Sequence, residues 1–286
     1  MSQHVERVGV VGCGVMGSGI AEVSARAGLD VVVAEASNDT LAAGRERIES
    51  SLKRAVGRGK LGSGAADAAL ERLTFTTDLG DLGDRELVVE AVVESEPVKV
   101  DVFRALDAAV GGDDAVLASN TSSIPIMKLA MATHRPHAVV GIHFFNPVPV
   151  MSLVEIVTSL LTSDETARRA EGFATEQLGK VPIRSQDRAG FVVNALLIPY
   201  LLSAIRMLES GFATREDIDQ GMMLGCSHPM GPLALADLIG LDTTMAVAES
   251  LYEEFKEQLY APPPLLARMV DAGLLGRKTG RGFYEY

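Results

Sequence analysis

A chain of 286 residues, 47% hydrophobic and with a net charge of −12, is long enough for two domains, and its acidic field opposes nucleic acid or an anionic membrane as a general partner. Two cysteines cannot build a disulfide framework, and the first seven residues lack the apolar core of a signal peptide, so a reducing cytoplasm is expected. Tryptophan is absent, which leaves Val, Leu, Ala, Ile and Met to fill the core.

The first apolar run, residues 7–11, is predicted to be a buried parallel strand. It opens into Gly12-Cys13-Gly14-Val15-Met16-Gly17. Met16, Ile20, Val23 and Ala27 then recur at helical spacing, Gly28 supplies a stop, and a second strand over 30–35 ends on Glu35. A glycine turn in this context binds a dinucleotide: Gly12 permits the tight turn, Gly14 lets backbone approach the pyrophosphate, and Gly17 lets helix and strand lie close. The helix N-terminus favours the pyrophosphate, and Glu35 can bond the adenosine ribose. A carboxylate there repels a 2′-phosphate, which favours NAD over NADP. The plainer alternatives are a turn without a ligand and a solvated Glu35.

Residues 39–59 read as a long helix with Leu41, Ile48, Leu52 and Val56 on one side and Arg45, Arg47, Lys53, Arg54 and Arg58 elsewhere. The stretch from Gly57 to Ala69 reads as a turn with a short second helix. Strands follow at 73–77, 87–93, 115–119, 138–144, 153–158 and 181–185, alternating with helices at 97–110, 124–132 and 164–178. This alternation predicts an α/β fold, a Rossmann-type, doubly wound, mostly parallel sheet. From Gly190 onward only helical periodicity remains, so the chain is expected to divide into a nucleotide-binding domain over 1–187 and a smaller, all-helical domain over 188–286. The helical part is apolar enough to bury surface against a second subunit, a homodimer being the expected assembly. Its most apolar stretch, residues 191–208, carries Asn194, Pro199 and Arg206 and so reads as a core helix, not a membrane span.

Polar residues among apolar ones mark the chemistry. Ser119-Asn120-Thr121-Ser122-Ser123 follows a predicted parallel strand, at the end where open α/β sheets present ligands, although a serine there can also cap the next helix. His143 ends the next strand, and Glu155 lies in the middle of the apolar run 153–157. A carboxylate so placed is costly unless paired, and the histidine is the available partner. The pair would fix the imidazole tautomer and leave one nitrogen to take a proton from a substrate alcohol. Asn194 is a third polar group in an apolar helix, with an interhelical hydrogen bond as its plainer role. No metal site is expected.

Gly12-x-Gly-x-x-Gly17, Val89-Glu90-Ala91-Val92-Val93-Glu94, Ser119 to Ser123, His143-Phe144-Phe145-Asn146-Pro147, Glu155, Gly190-Phe191-x-x-Asn194 and the segment Gly276 to Tyr284 together resemble the short-chain L-3-hydroxyacyl-CoA dehydrogenase family over almost the whole chain. The resemblance implies that His143 is the general base, Glu155 its partner, and Ser122 and Asn194 the residues that orient the substrate's oxygens. It places Val15 and Met16 against the cofactor with the glycine turn, Glu94 and Lys99 on the nicotinamide side, Asn146 against the ligand, and Lys278 within reach of the cofactor. For Glu94 and Lys99 a solvated pair at the start of a helix is the plainer reading. Ser51 and Arg58 match positions that contact CoA, Arg58 replacing the more usual lysine while keeping its charge. The implied reaction is reversible NAD-dependent oxidation of an (S)-3-hydroxyacyl-CoA, with 3-hydroxybutyryl-CoA first among the substrates and hydroxyadipyl or longer acyl groups as alternatives. An NAD-binding structural protein without turnover is the non-enzymatic alternative, disfavoured because it gives no reason to bury these polar groups together.

Overall fold

The computed structural model describes residues 4–112 and 114–286. Two compact units divide it, the first ending at Arg188 and the second spanning Ala189–Tyr286.

The first unit begins with β1 (Arg7–Val11), α1 (Val15–Arg26), β2 (Asp30–Ala34), α2 (Asn38–Gly57), α3 (Ser63–Glu71) and β3 (Leu73–Thr76). It continues with β4 (Leu87–Glu90), α4 (Glu96–Ala109), β5 (Val116–Ser119), α5 (Ile126–Ala130) and β6 (Val139–Phe144). β7 (Leu153–Thr158), α6 (Asp164–Gly172) and β8 (Val181–Gln186) complete it. The strands form one eight-stranded sheet in the order β3-β2-β1-β4-β5-β6-β7-β8. All neighbours are parallel except β6 and β7, which run antiparallel. The order reverses between β1 and β4, the switch point beyond whose strand ends α/β sheets bind ligands.

Sequence chemistry explains the elements. The strands β1, β2, β4 and β5 are short Val-, Leu- and Ala-rich runs buried on both faces, as parallel strands require, and the side chains of one face, such as Val10, Val33, Val89 and Ala118, join one core with Ile20, Ile48, Leu52 and Phe173. Ser37 starts α2 through a capping box with Thr40, and Ser163 caps α6 by accepting from the Thr166 amide. Several elements differ from the sequence expectation. β4 stops at Glu90 instead of Val93, because the Val92 amide turns back to donate to the Glu90 carboxylate at 2.7 Å. The helix expected over 124–132 is shortened to α5, since Pro125 precedes it and Asp187 takes the amides of Ile126 and Met127. The helix expected to run to Leu178 loosens into a π-turn over Phe173–Gln177.

The second unit is helical: α7 (Val193–Glu209), α8 (Arg215–Gly225), α9 (Pro232–Ile239), α10 (Leu241–Phe255) and α11 (Pro264–Asp271). They close around Leu201, Leu202, Ile205, Leu233, Leu251 and Leu266. Two buried aspartates latch the last residues onto this bundle: Asp237 accepts from the Phe283 and Tyr284 amides, and Asp219 accepts from the Tyr284 hydroxyl and the amides that open α9. Among the described residues, no helix is long and apolar enough to cross a membrane.

Candidate active site

The glycine turn sits between β1 and α1. Gly12 has φ +91°, a backbone only glycine adopts readily, and a Cβ on Gly17 would fall 1.7 Å from the Gly12 carbonyl oxygen. Gly14 differs: a Cβ there would meet nothing within 4 Å. The turn therefore offers an open cradle at the N-terminus of α1, where backbone amides and the helix dipole favour phosphate. Val15 stands exposed beside it, while Met16 packs into the core. Glu35 follows β2 by one residue, and its carboxylate accepts from the Cys13 amide at 2.5 Å and its neighbour Ala36 at 3.1 Å. An acid held against the turn in this way fits a ribose diol over the same cradle. Burial pushes the Cys13 thiol up to about 12, so Cys13 is no nucleophile here.

Farther along the same sheet edge, β6 and β7 pair His143 directly with Glu155. Alternation along both strands puts these side chains on one face, and the imidazole Nδ1 lies 2.7 Å from Glu155 Oε2. Glu155 is wholly buried and His143 nearly so, with the Phe145 ring edge-on at 4.7 Å. With Nδ1 donating to the carboxylate, Nε2 is the acceptor, and it faces Ser122 Oγ at 3.2 Å.

Ser122 lies in the loop after β5, held by Glu94. One Glu94 oxygen accepts from Thr121 Oγ1, from the Ser122 and Ser123 amides and from Ser123 Oγ. Burial pushes the Glu94 carboxyl up, but the Lys99 ammonium and these donors outweigh it and hold it below the usual carboxylate range. Lys99 is not solvated. It is 1% exposed, its ammonium lying 2.6 Å from the fully buried Glu90 and 3.4 Å from Glu94. The reading of Glu94 and Lys99 as a solvated pair is thereby corrected for Lys99, because β4 ends on a second carboxylate that draws the lysine inward, whereas the Glu94 side chain stays 40% exposed.

Beside the turn, a groove with a volume of about 530 Å³ is lined by Val15, Ser18, Ser51, Arg47, Arg54 and the segment Asn146–Pro149, among others. Arg47, Ser51 and Arg54 recur at positions i, i+4 and i+7 and so share one face of α2. Arg58, the C-cap residue of α2, is exposed and does not line this groove. The opposite wall is held by Lys180, whose ammonium donates to the carbonyls of Val148 and Met151, each at 2.6 Å.

Asn194 and Lys278 belong to the second unit. Asn194 is half-buried in the first turn of α7. Lys278 pairs with Asp242 on α10, and although burial raises the Asp242 carboxyl, the lysine holds it below its usual value. Among the described residues, no three His, Cys, Asp or Glu side chains are grouped to hold a metal ion. Sequence reasoning gave no role to Glu90 or Lys180, and it took Arg47 only as one of the basic residues of its helix and Asp187 only as the end of the first domain; a charged residue inside an apolar run was the available signal for Glu90.

The NAD-binding domain of 3-hydroxyacyl-CoA dehydrogenases matches residues 7–188, and the C-terminal domain of the same enzymes matches residues 190–286. A 3-hydroxybutyryl-CoA dehydrogenase of Mycobacterium tuberculosis is 62% identical over 286 residues, covering all of both chains. Among solved structures, M. tuberculosis FadB2 superposes with a TM-score of 0.98 at 62% identity, covering 99% of this chain and 100% of that one. The (S)-3-hydroxybutyryl-CoA dehydrogenase PaaH1 of Ralstonia eutropha gives a TM-score of 0.93 at 47% identity, covering 99% of each chain. Both domains, in order and over nearly every residue, place this chain in the 3-hydroxyacyl-CoA dehydrogenase family.

Proposed function

We propose that this protein catalyses the reversible, NAD-dependent oxidation of (S)-3-hydroxyacyl-CoA, 3-hydroxybutyryl-CoA first, to the 3-oxoacyl-CoA. The observation that carries this reading is the line Glu155–His143–Ser122. It supplies an oriented imidazole with one nitrogen turned toward a hydroxyl. Bound NAD supplies the hydride acceptor. In oxidation His143 Nε2 takes the proton of the C3 hydroxyl, while Glu155 holds the ring and stabilises the imidazolium that results. Ser122 Oγ, and Asn194 from the helical unit, orient the substrate's oxygens. In reduction the protonated imidazole returns the proton to the C3 oxygen.

Gly12, Gly14, Val15, Met16, Gly17 and Glu35 are assigned to the adenosine side of NAD; Glu94, Lys99, Asn146 and Lys278 serve its nicotinamide side or the ligand beside it. Ser51 and Asn146 share the groove, so CoA is assigned there, with Arg47 and Arg54 as cations for its phosphates in a chain of net charge −12. Arg58 is kept as an outer contact. The first unit is the NAD-binding domain, and the helical unit serves substrate binding and dimerisation. Leu196, Phe212 and Leu224, all more than 70% exposed there, support a homodimer. The cytoplasm is the assigned compartment, in line with two free cysteines.

The test is NADH consumption by the purified protein with acetoacetyl-CoA, repeated with NADPH and with a longer 3-oxoacyl-CoA. Turnover with NADH and a preference for the short substrate are expected. NADH binding without turnover of any acyl-CoA would overturn the reading.

A further inference from the structure

We propose that Glu90 is a positioning residue for this reaction: it fixes the place at which Ser122 meets His143. The inference rests on the reading of Ser122 and His143 given above. Glu90 is the last residue of β4, at the switch point, with Val11 of β1 and Ser119 of β5 as its register neighbours. It has no solvent access. A carboxylate in such a position is costly unless its oxygens are filled, and here they are. One oxygen accepts from Lys99 Nζ at 2.6 Å and the Val92 amide at 2.7 Å; the other accepts from Ser119 Oγ at 2.6 Å.

Two routes lead from this carboxylate to Ser122. The first runs through Lys99 to Glu94, and Glu94 accepts from the Ser122 amide at 2.9 Å. The second runs through Ser119, whose hydroxyl accepts from the Thr121 amide at 3.2 Å, one residue before Ser122. The loop is thus held from two sides by two carboxylates bridged by a single ammonium. Shared between two anions, Lys99 leaves Glu94 free to collect the loop's amides and hydroxyls. Without the charge of Glu90, the ammonium would turn wholly to the Glu94 oxygen it already faces and draw that carboxylate away from the Ser122 amide, which is bound to the other oxygen. Ser119 would lose its charged acceptor at the same time. An ion pair this deeply buried adds little to stability over apolar packing, so its placement against one reactive loop is better explained by geometry than by stability.

A double-mutant cycle tests this. Wild type, Glu90→Gln, Ser122→Ala and the double variant are compared for kcat and KM with acetoacetyl-CoA and NADH, with thermal unfolding run alongside. Gln keeps the shape and an acceptor but not the charge. Glu90→Gln is expected to lower kcat by roughly 10- to 100-fold in the wild-type background, the scale of a misplaced orienting group. In the Ser122→Ala background it should cost no more than about twofold in kcat with NADH saturating, so that any change in cofactor affinity through Lys99 drops out, because no hydroxyl remains to be placed. Equal losses in both backgrounds would overturn the proposal. If Glu90→Gln does not fold, Glu90→Asp, which keeps the charge on a shorter arm, is put through the same cycle with the same criterion. If Ser122→Ala alone keeps wild-type kcat while the protein turns over substrate, the role of Ser122 fails, and Glu90 loses the proposed function with it. No turnover by wild type would instead indict the dehydrogenase reading.

Discussion

Glu155 faces His143 across the antiparallel step of an otherwise parallel ladder, its carboxylate 2.7 Å from the imidazole. The reversal of β7 is what makes this possible. It brings the third residue of one strand opposite the fifth of the other, at the sheet edge where the parallel strands end. His143→Gln should keep the fold and NADH binding but lower kcat by about 10²–10⁴, the usual worth of a general acid or base. Glu155→Gln keeps an acceptor for Nδ1 and removes the charge that stabilises the imidazolium. Its expected loss in kcat is also on the order of 10²–10⁴. Steady-state kinetics with parallel measurement of NADH affinity decides both: a near-normal kcat for His143→Gln would mean that another group moves the proton.

Glu35 serves the turn and, on the reading above, the ribose. Glu35→Ala should weaken NADH by about 10- to 100-fold, the loss of hydrogen bonds to a charged group, and leave the KM for acetoacetyl-CoA within about twofold. Fluorescence titration with NADH and NADPH checks this. The same change should narrow the preference for NADH over NADPH, because the repelling carboxylate is gone.

Much of this arrangement could be read along the chain because its signals are local. The glycine turn, the apolar runs of β1 and β2 and the polar residues His143 and Glu155 inside apolar strands each stand out within a few residues. What stayed hidden depends on distant partners. Lys99 reads as a surface lysine on a helix until β4 is seen to stop at Glu90 and turn a carboxylate beneath it. Arg54 and Arg58 look alike on α2, and only the segment Asn146–Pro149, nearly a hundred residues on, decides which of them faces the groove. Lys180 owes its burial to two backbone carbonyls, which no side-chain pattern records. The shortening of α5 likewise depends on Asp187, which arrives from the end of the sheet.

Glu94 gives the loop a predictable response to acid. Its carboxyl is held below the usual range, so the folded state binds its proton less readily than the unfolded chain does. The stabilisation is complete above the unfolded value of about 4.3 and is lost as pH falls through the lower folded value. The gap in Tm between wild type and Glu94→Gln should therefore be constant from about pH 7 to 5 and shrink below about pH 4. A gap that stayed constant down to about pH 3 would show that the carboxylate charge does not anchor the loop.

The three glycines of the turn should part company when each is replaced by alanine. At Gly17 the new Cβ would meet the Gly12 carbonyl oxygen at 1.7 Å, and at Gly12 it would meet the Ala91 backbone at 2.7 Å on a residue with φ +91°. Both changes force backbone to move, so both should lower Tm, by an amount corresponding to about 1–3 kcal/mol or more. At Gly14 the Cβ would meet nothing within 4 Å. Gly14→Ala should therefore unfold at the wild-type temperature. Its methyl group nevertheless occupies the space through which backbone approaches the pyrophosphate, and NADH affinity should fall by at least about tenfold. Measuring Tm and NADH affinity on the three variants separates a turn built for its own packing from one built around a ligand. An unchanged affinity in Gly14→Ala would put the pyrophosphate elsewhere.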